Sequence, residues 1–311
     1  MTPSIAVRER VLGCVLGLAL GDAAGAPFEF LRAHEIPDPA PLFELPWLGL
    51  PPGSTTDDTA LARNLVRSLG ERGRLDPDDL IGRHLAWFRS GPPDIGTLTR
   101  LVLTRADRGE KAQDAARAVW EERGPEVSAG NGSVMYCAPL GVTYANRPVQ
   151  LHDLAPLLSS LTHYDERCRT ACLAVTLVAS ALVRGEDPKR SLHLVVTSLI
   201  EDEHEGAEEL EFLIEAAGTK RPVDGPDQGF CLFTAGLALR TAATAPDFES
   251  GIGDVLACGG DTDTNAAVAG ALLGARDGIS SLPMDWLERL HGRSEIEEEA
   301  AALVALAEAT S

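Results

Sequence analysis

Between Arg10 and Glu29 the chain places glycine at positions 13, 17, 21 and 25, every fourth residue of an otherwise apolar run. Residues four apart share one face of a helix, so these glycines form a single smooth stripe. Each costs a helix about 1 kcal/mol relative to alanine. Four such costs on one face imply that a second backbone, or a ligand, lies against the stripe. The first helix is therefore expected over residues 4–25, beginning near Ser4. Asp22 closes the apolar run. Glu29 follows within Pro27-Phe28-Glu29-Phe30, an unusually apolar setting for a carboxylate.

The rest of the chain also favours helix. Of its 311 residues 44% are hydrophobic but only 5% aromatic, and β-branched runs are short. The expectation is an all-α protein forming a single domain over residues 1–311, large enough to bury a substantial core. Helices are expected at 60–69, 77–89, 97–107, 111–122, 153–161, 166–184, 188–200, 203–217, 229–244, 283–292 and 294–309. Residues 34–53, proline-rich and without period, read as a long surface loop of the kind that is often functional. The formal charge of −20 argues against nucleic acid or an anionic membrane surface as a partner. No segment is expected to supply the roughly 20 apolar residues that span a bilayer, and the N-terminus lacks a signal-peptide layout. Cysteines at 14, 137, 168, 172, 231 and 258 show no framework spacing. They read as buried thiols of a cytoplasmic protein.

Chemistry concentrates in two places. At 257–275, Gly259-Gly260 precedes Asp261-Thr262-Asp263-Thr264 and a small-residue apolar stretch: a glycine turn, an acidic helix entrance and a buried helix. Capping explains one aspartate at a helix start, not two interleaved with two threonines. Hard oxygen donors in that pattern suit a divalent cation. An EF-hand would need glycine and glutamate where Ala266 and Leu272 stand. An Asp-x-Asp phosphoenzyme would have an apolar strand where Cys258-Gly259-Gly260 stands. The second place is Thr55-Thr56-Asp57-Asp58-Thr59, before the helix expected at 60–69. Brought together, the two clusters would repel unless cations lay between them, and three or four carboxylates shared by two helix entrances match a dinuclear site.

Three smaller features accompany them. Ser128-Ala129-Gly130-Asn131-Gly132-Ser133 is a polar turn whose backbone N–H groups can cradle a phosphate or sugar oxygen. Asp94, before the helix expected at 97–107, reads as its N-cap. His163 stands in Thr162-His163-Tyr164-Asp165. No Walker loop or dinucleotide-binding fingerprint is present.

The Thr-Asp-Asp-Thr and Gly-Gly-Asp-Thr-Asp-Thr motifs, with Gly21-Asp22-Ala23-Ala24-Gly25 before them, resemble the ADP-ribosylglycohydrolase family over about residues 8–275. The resemblance implies a compact, orthogonal multi-helix bundle with a central dinuclear metal cleft, holding two Mg ions or, in some bacterial members, Mn. Carried over by position, Thr56, Asp57 and Asp58 would hold one metal and Asp261, Asp263 and Thr264 the other, with Asp263 bridging. The turn of Ser128, Gly130, Asn131, Gly132 and Ser133 would contact ADP-ribose. Glu29 would act as general base or gating ligand, with Asp94 at the rim and His163 in support. Tyr136 stands where the family commonly has arginine.

The implied reaction is hydrolysis of the C1″ bond of ADP-ribose carried by a protein or a small conjugate, and a monomer is expected. A non-hydrolytic ADP-ribose binder or structural relative, and a metal-dependent phosphoesterase, are the competing readings.

Overall fold

The computed structural model describes residues 6–217 and 222–309, so the expected helix start near Ser4 lies outside the described residues. Within them no strand forms, and only two isolated bridges occur, Trp47 with Leu50 and Gly130 with Phe230. The helices are α1 Val7–Gly25, α2 Asp57–Arg72, α3 Pro77–Arg89, α4 Thr97–Ala106, α5 Ala112–Arg123, α6 Ala138–Thr143, α7 Leu151–Ser160 and α8 Glu166–Val183. They continue with α9 Pro188–Glu201, α10 Ala207–Ala217, α11 Cys231–Thr244, α12 Phe248–Leu256, α13 Thr262–Asp277, α14 Met284–Arg289, α15 Arg293–Ala301 and α16 Val304–Glu308.

The glycine stripe determines how the core is built. A Cβ added at Gly13, Gly17, Gly21 or Gly25 would fall against the carbonyl oxygen of Gly274, Gly270, Ala266 or Thr262, far inside van der Waals contact. The descending partner numbers show that α1 and α13 run antiparallel, backbone against backbone. Gly270 and Gly274 return the relation, meeting the carbonyls of Gly17 and Gly13. Both helices are apolar around most of their circumference, so each is buried on every side. The end of α1 thus meets the start of α13, where the Thr262 hydroxyl donates to the Gly25 carbonyl at 2.9 Å.

By length and hydropathy this first segment corrects an expectation. Val7–Phe28 spans 22 residues and its most apolar 18-residue window has a mean hydropathy of 1.6, long and apolar enough to cross a membrane. Here it packs as a core helix, with 94% of its most apolar window buried inside the protein. Asp22, the charge that closes the run, is itself wholly buried and bonded within the molecule.

Most other elements fall where the periodicity puts them, and the departures have local causes. The helix expected from 203 begins at Ala207, because Glu203 and Gly206 turn through the left-handed region with φ of 56° and 82°. Helix α12 was not expected. It is short and carries Gly251 and Gly253, but Asp247 caps it by accepting from the Ser250 N–H at 2.8 Å. The single helix expected over 294–309 breaks into α15 and α16. The 34–53 segment forms no α-helix; Phe43 anchors it by packing on Trp286, ring centroids 5.3 Å apart. All six cysteines are buried and none is in a disulfide.

Candidate active site

Asp22 organises the second acidic cluster. Its carboxylate accepts from the Thr56 N–H at 3.0 and 3.1 Å, from the Thr59 N–H at 3.0 Å, and from the Thr59 hydroxyl. Helix α2 is therefore tied by its first turn to the same end of α1 that meets α13. Thr56 caps α2, accepting from the Asp58 N–H at 3.2 Å. Asp261 stands at the N-cap position of α13 without capping it, so capping does not account for that aspartate. The two helix starts are joined directly: the Thr264 hydroxyl donates to Asp58 Oδ2 at 3.3 Å, and the Thr56 hydroxyl to the same oxygen at 3.2 Å.

Glu29, Asp57, Asp94, Asp261 and Asp263 line a cleft of about 450 Å³, and among the described residues Arg123 is the only arginine or lysine of its lining. Oxygens of Glu29, Asp261 and Asp263 lie within 4.8 Å of one another. Asp58 Oδ1 and Asp263 Oδ1 are buried without a hydrogen-bond partner, an expensive state for a carboxylate. Burial, the nearby Asp261, Asp58 and Glu29 charges, and a bond to Asp261 hold the Asp263 carboxyl well above the usual range. Burial and the Asp22, Asp57 and Asp261 charges do the same to Asp58. Burial, followed by the charge of Asp94 and a bond to it, raises Asp57, although the Gly96 N–H donates to Asp57 Oδ2 at 3.2 Å. Glu29 rises to about 7 through burial and the charges of Asp94 and Asp261, despite the Trp47 indole N–H donating to it at 3.4 Å. Unpartnered buried oxygens, hard donors only, and crowded like charges are what a divalent-cation site presents without its ions.

Asp94 does not cap α4; that position belongs to Gly96, which makes no side-chain cap bond. Asp94 faces Asp57 and Glu29 across the rim instead. Of the polar turn, Gly130, Asn131 and Gly132 line the cleft. Ser128 and Ser133 do not: the Ser128 hydroxyl donates to the Gly124 carbonyl at 2.7 Å, and Ser133 pairs with Ser159 at 3.0 Å. Both hydroxyls brace the turn from behind. The Asn131 amide donates to Asp261 Oδ2 at 2.9 Å and to Thr234 at 3.0 Å, and Thr234 in turn donates to Asn265 at 2.8 Å.

His163 lies over the same turn, close enough that a Cβ at Gly132 would stand 2.8 Å from its ring. Its Nδ1 pairs with the Thr162 hydroxyl at 2.9 Å, and burial lowers it to about 4, so it is neutral at pH 7. Tyr136 is wholly buried, edge-on to His84 with centroids 5.5 Å apart, away from the cleft lining. Trp47, Thr234 and Asn265 are contributors that motif reading misses, and Asp22, though part of a motif, takes no site role from it.

A stability prediction arises here. Asp22, raised by burial to about 6, and Glu29, raised to about 7, bind protons more tightly folded than unfolded. The unfolded chain therefore binds fewer protons between about pH 4 and 7, and cation-free protein loses stability as pH rises through that window. Asp22 alone accounts for roughly 3 kcal/mol, at about 1.4 kcal/mol per pH unit. Thermal melts in chelator are expected to fall by about 5 °C or more between pH 5 and pH 8, and added MgCl2 or MnCl2 to restore the loss. A flat profile in chelator would remove the carboxylate crowding from the account.

Buried carboxylates massed at two abutting helix starts, beside a glycine-rich polar turn, thus form the cleft of an all-helical fold. The family profile described as ADP-ribosylglycohydrolase matches residues 3–311. The chain belongs to that family and is an enzyme of its type. It is 30% identical to the ADP-ribosyl-[dinitrogen reductase] glycohydrolase of Rhodospirillum rubrum, covering 97% of each chain. It is 27% identical to the ADP-ribosylarginine hydrolase Tri1 of Pseudomonas putida, over 93% of this chain and 76% of that one. Among solved structures, one titled ADP-ribosylglycohydrolase-related protein complex superposes with a TM-score of 0.79 at 33% identity, covering 97% of this chain and 99% of the other.

Proposed function

We propose that the protein hydrolyses the C1″ glycosidic bond of ADP-ribose attached to a protein side chain or a small acceptor, releasing ADP-ribose, with two divalent cations, Mg first and Mn as the alternative. The observation that carries this reading is the pair of buried, unpartnered oxygens on Asp58 and Asp263, the latter lining the same cleft as the Gly130–Gly132 turn. Thr56, Asp57 and Asp58 would hold one cation and Asp261, Asp263 and Thr264 the other. Bound there, the cations would neutralise the carboxylates and fix the hydroxyls of the terminal ribose.

The protein's own groups supply the rest. The backbone N–H groups of Gly130 and Gly132 suit a diphosphate or ribose oxygen, that of Asn131 being given to the Gly229 carbonyl at 2.9 Å, and neutral His163 adds a ring nitrogen beside them. Asn131 holds Asp261 in orientation by its 2.9 Å bond. Glu29, raised to about 7, can accept a proton at neutral pH, which a free glutamate does poorly. In the balanced step, water adds its oxygen to C1″ and gives a proton to Glu29. The bond from C1″ to the acceptor breaks through an oxocarbenium-like transition state, the acceptor takes a proton from solvent, and Glu29 returns the one it accepted to solvent.

Product analysis tests this on ADP-ribosylated arginine, ADP-ribosylated serine and O-acetyl-ADP-ribose, with Mg, Mn or chelator. Free ADP-ribose released only with a cation is the expected result. AMP with ribose phosphate would mean a phosphoesterase, and no product at all a binder. A second measurement addresses Glu29. Glutamine is nearly isosteric but takes no proton, so Glu29→Gln is expected to lower turnover roughly 10²-fold or more while cation affinity by calorimetry changes far less. Near-normal turnover would take Glu29 out of the scheme; lost cation binding would make it a ligand.

A further inference from the structure

Phe30 lines the cleft directly beside Glu29 yet has no part in the scheme above. Its side chain is 58% exposed, and its φ of 62° lies in the left-handed region that bulky residues rarely adopt. Strain of this kind persists only where surrounding structure imposes it. Here the imposing contacts are two backbone bonds: the Phe30 N–H donates to the Gly260 carbonyl at 2.7 Å, and the Gly260 N–H donates to the Leu31 carbonyl at 2.8 Å. The ring is thereby registered to the residue before Asp261. It is held at the mouth rather than folded into the core, although Phe28, two residues earlier, is 2% exposed.

The position assigns a side of the substrate. The Gly130–Gly132 turn and His163 form the wall suited to the diphosphate and sugar oxygens. Phe30 and Glu29 mark the lip where the acceptor leaves C1″. The cleft presents an exposed aromatic ring together with the neighbouring carboxylates of Glu29 and Asp94 in its lining. A planar cation matches both, with its face on the ring and its N–H groups toward the carboxylates. A neutral ester or alkyl ether gains from neither. We propose that Phe30 is the acceptor-side specificity residue of this cleft, carrying the guanidinium of an ADP-ribosylated arginine on its ring. The proposal rests on the hydrolase reading.

The experiment compares wild type with Phe30→Leu, Phe30→Gly and Phe30→Tyr. Glycine suits the left-handed backbone, so that variant removes the ring without adding strain. The readouts are the ratio of kcat/KM on ADP-ribosylarginine to kcat/KM on O-acetyl-ADP-ribose, and the Kd of free ADP-ribose by calorimetry. The Leu and Gly variants are expected to lower the ratio roughly tenfold, and Tyr to keep it, with ADP-ribose affinity unchanged within about twofold. An unchanged ratio overturns the assignment. So does a drop in ADP-ribose affinity matching the loss of activity, which would mean that Phe30 serves the whole cleft. Wild type acting on the O-acetyl conjugate alone overturns the guanidinium while the hydrolase reading stands. Wild type freeing ADP-ribose from neither overturns both.

Discussion

Replacing Gly21 with valine is expected to destabilise the protein by roughly 3–5 kcal/mol, enough to leave little soluble material. A Cβ at this position would fall on the carbonyl group of Ala266, and 2.9 Å from the Ala267 nitrogen. The obstacle is backbone, not a side chain that can rotate away, so α1 and α13 would have to part along their length. The same separation would carry Asp261 and Asp263 away from Asp58, taking the cleft with it. Gly82 on α3 is the control: nothing lies within 4 Å of the Cβ that alanine would add there. Gly82→Ala is expected to be neutral or to stabilise by up to about 1 kcal/mol. Urea denaturation of both variants checks the contrast, and similar midpoints would mean that the stripe is not what brings the two helices together.

This contact also shows what was legible beforehand. Spacing alone demanded a close neighbour for the glycine face, because helical period converts four sequence positions into one surface. It could not say which neighbour, since the partner lies about 250 residues away. The acidic clusters were legible for the same reason: both are local, and both combine hydroxyls with paired carboxylates at a helix start. The parts that stayed hidden depend on long-range pairing. Asp22 reads as the end of an apolar run, and only the fold turns it toward Thr56 and Thr59. Asn131 reads as a turn residue, yet its amide reaches Asp261. Trp47 sits in an aperiodic loop that no pattern connects to Glu29. Ser128 and Ser133 err the other way. Position in a polar turn suggested that they face a ligand, but turn hydroxyls can equally well bond backward into the protein, as both do.

Asp263→Ala is expected to abolish measurable turnover while raising the stability of the cation-free protein. The two effects have one cause. Asp263 is 2% exposed, one of its oxygens has no partner, and Asp261, Asp58 and Glu29 all press their charges on it. In the absence of a cation, that carboxylate opposes folding as pH rises, because the folded site binds its proton more tightly than the unfolded chain does. Removing it relieves Asp58 and Glu29 as well, so the fall in melting temperature between pH 5 and pH 8 should flatten. With cations present the sign is expected to reverse, since the proposed donor set loses Asp263. Calorimetry should show weakened Mg or Mn binding, and turnover should drop by far more than the roughly 10- to 100-fold usual for an outer-shell partner of a metal ligand. Asp263→Asn separates charge from shape: it keeps the volume and should behave like alanine in activity and in the cation-free melt. The arrangement would be refuted by wild-type turnover in either variant, or by full activity of the native protein in excess chelator. A cation-free melt that falls on substitution would assign Asp263 a structural role, with its charge already balanced inside the fold.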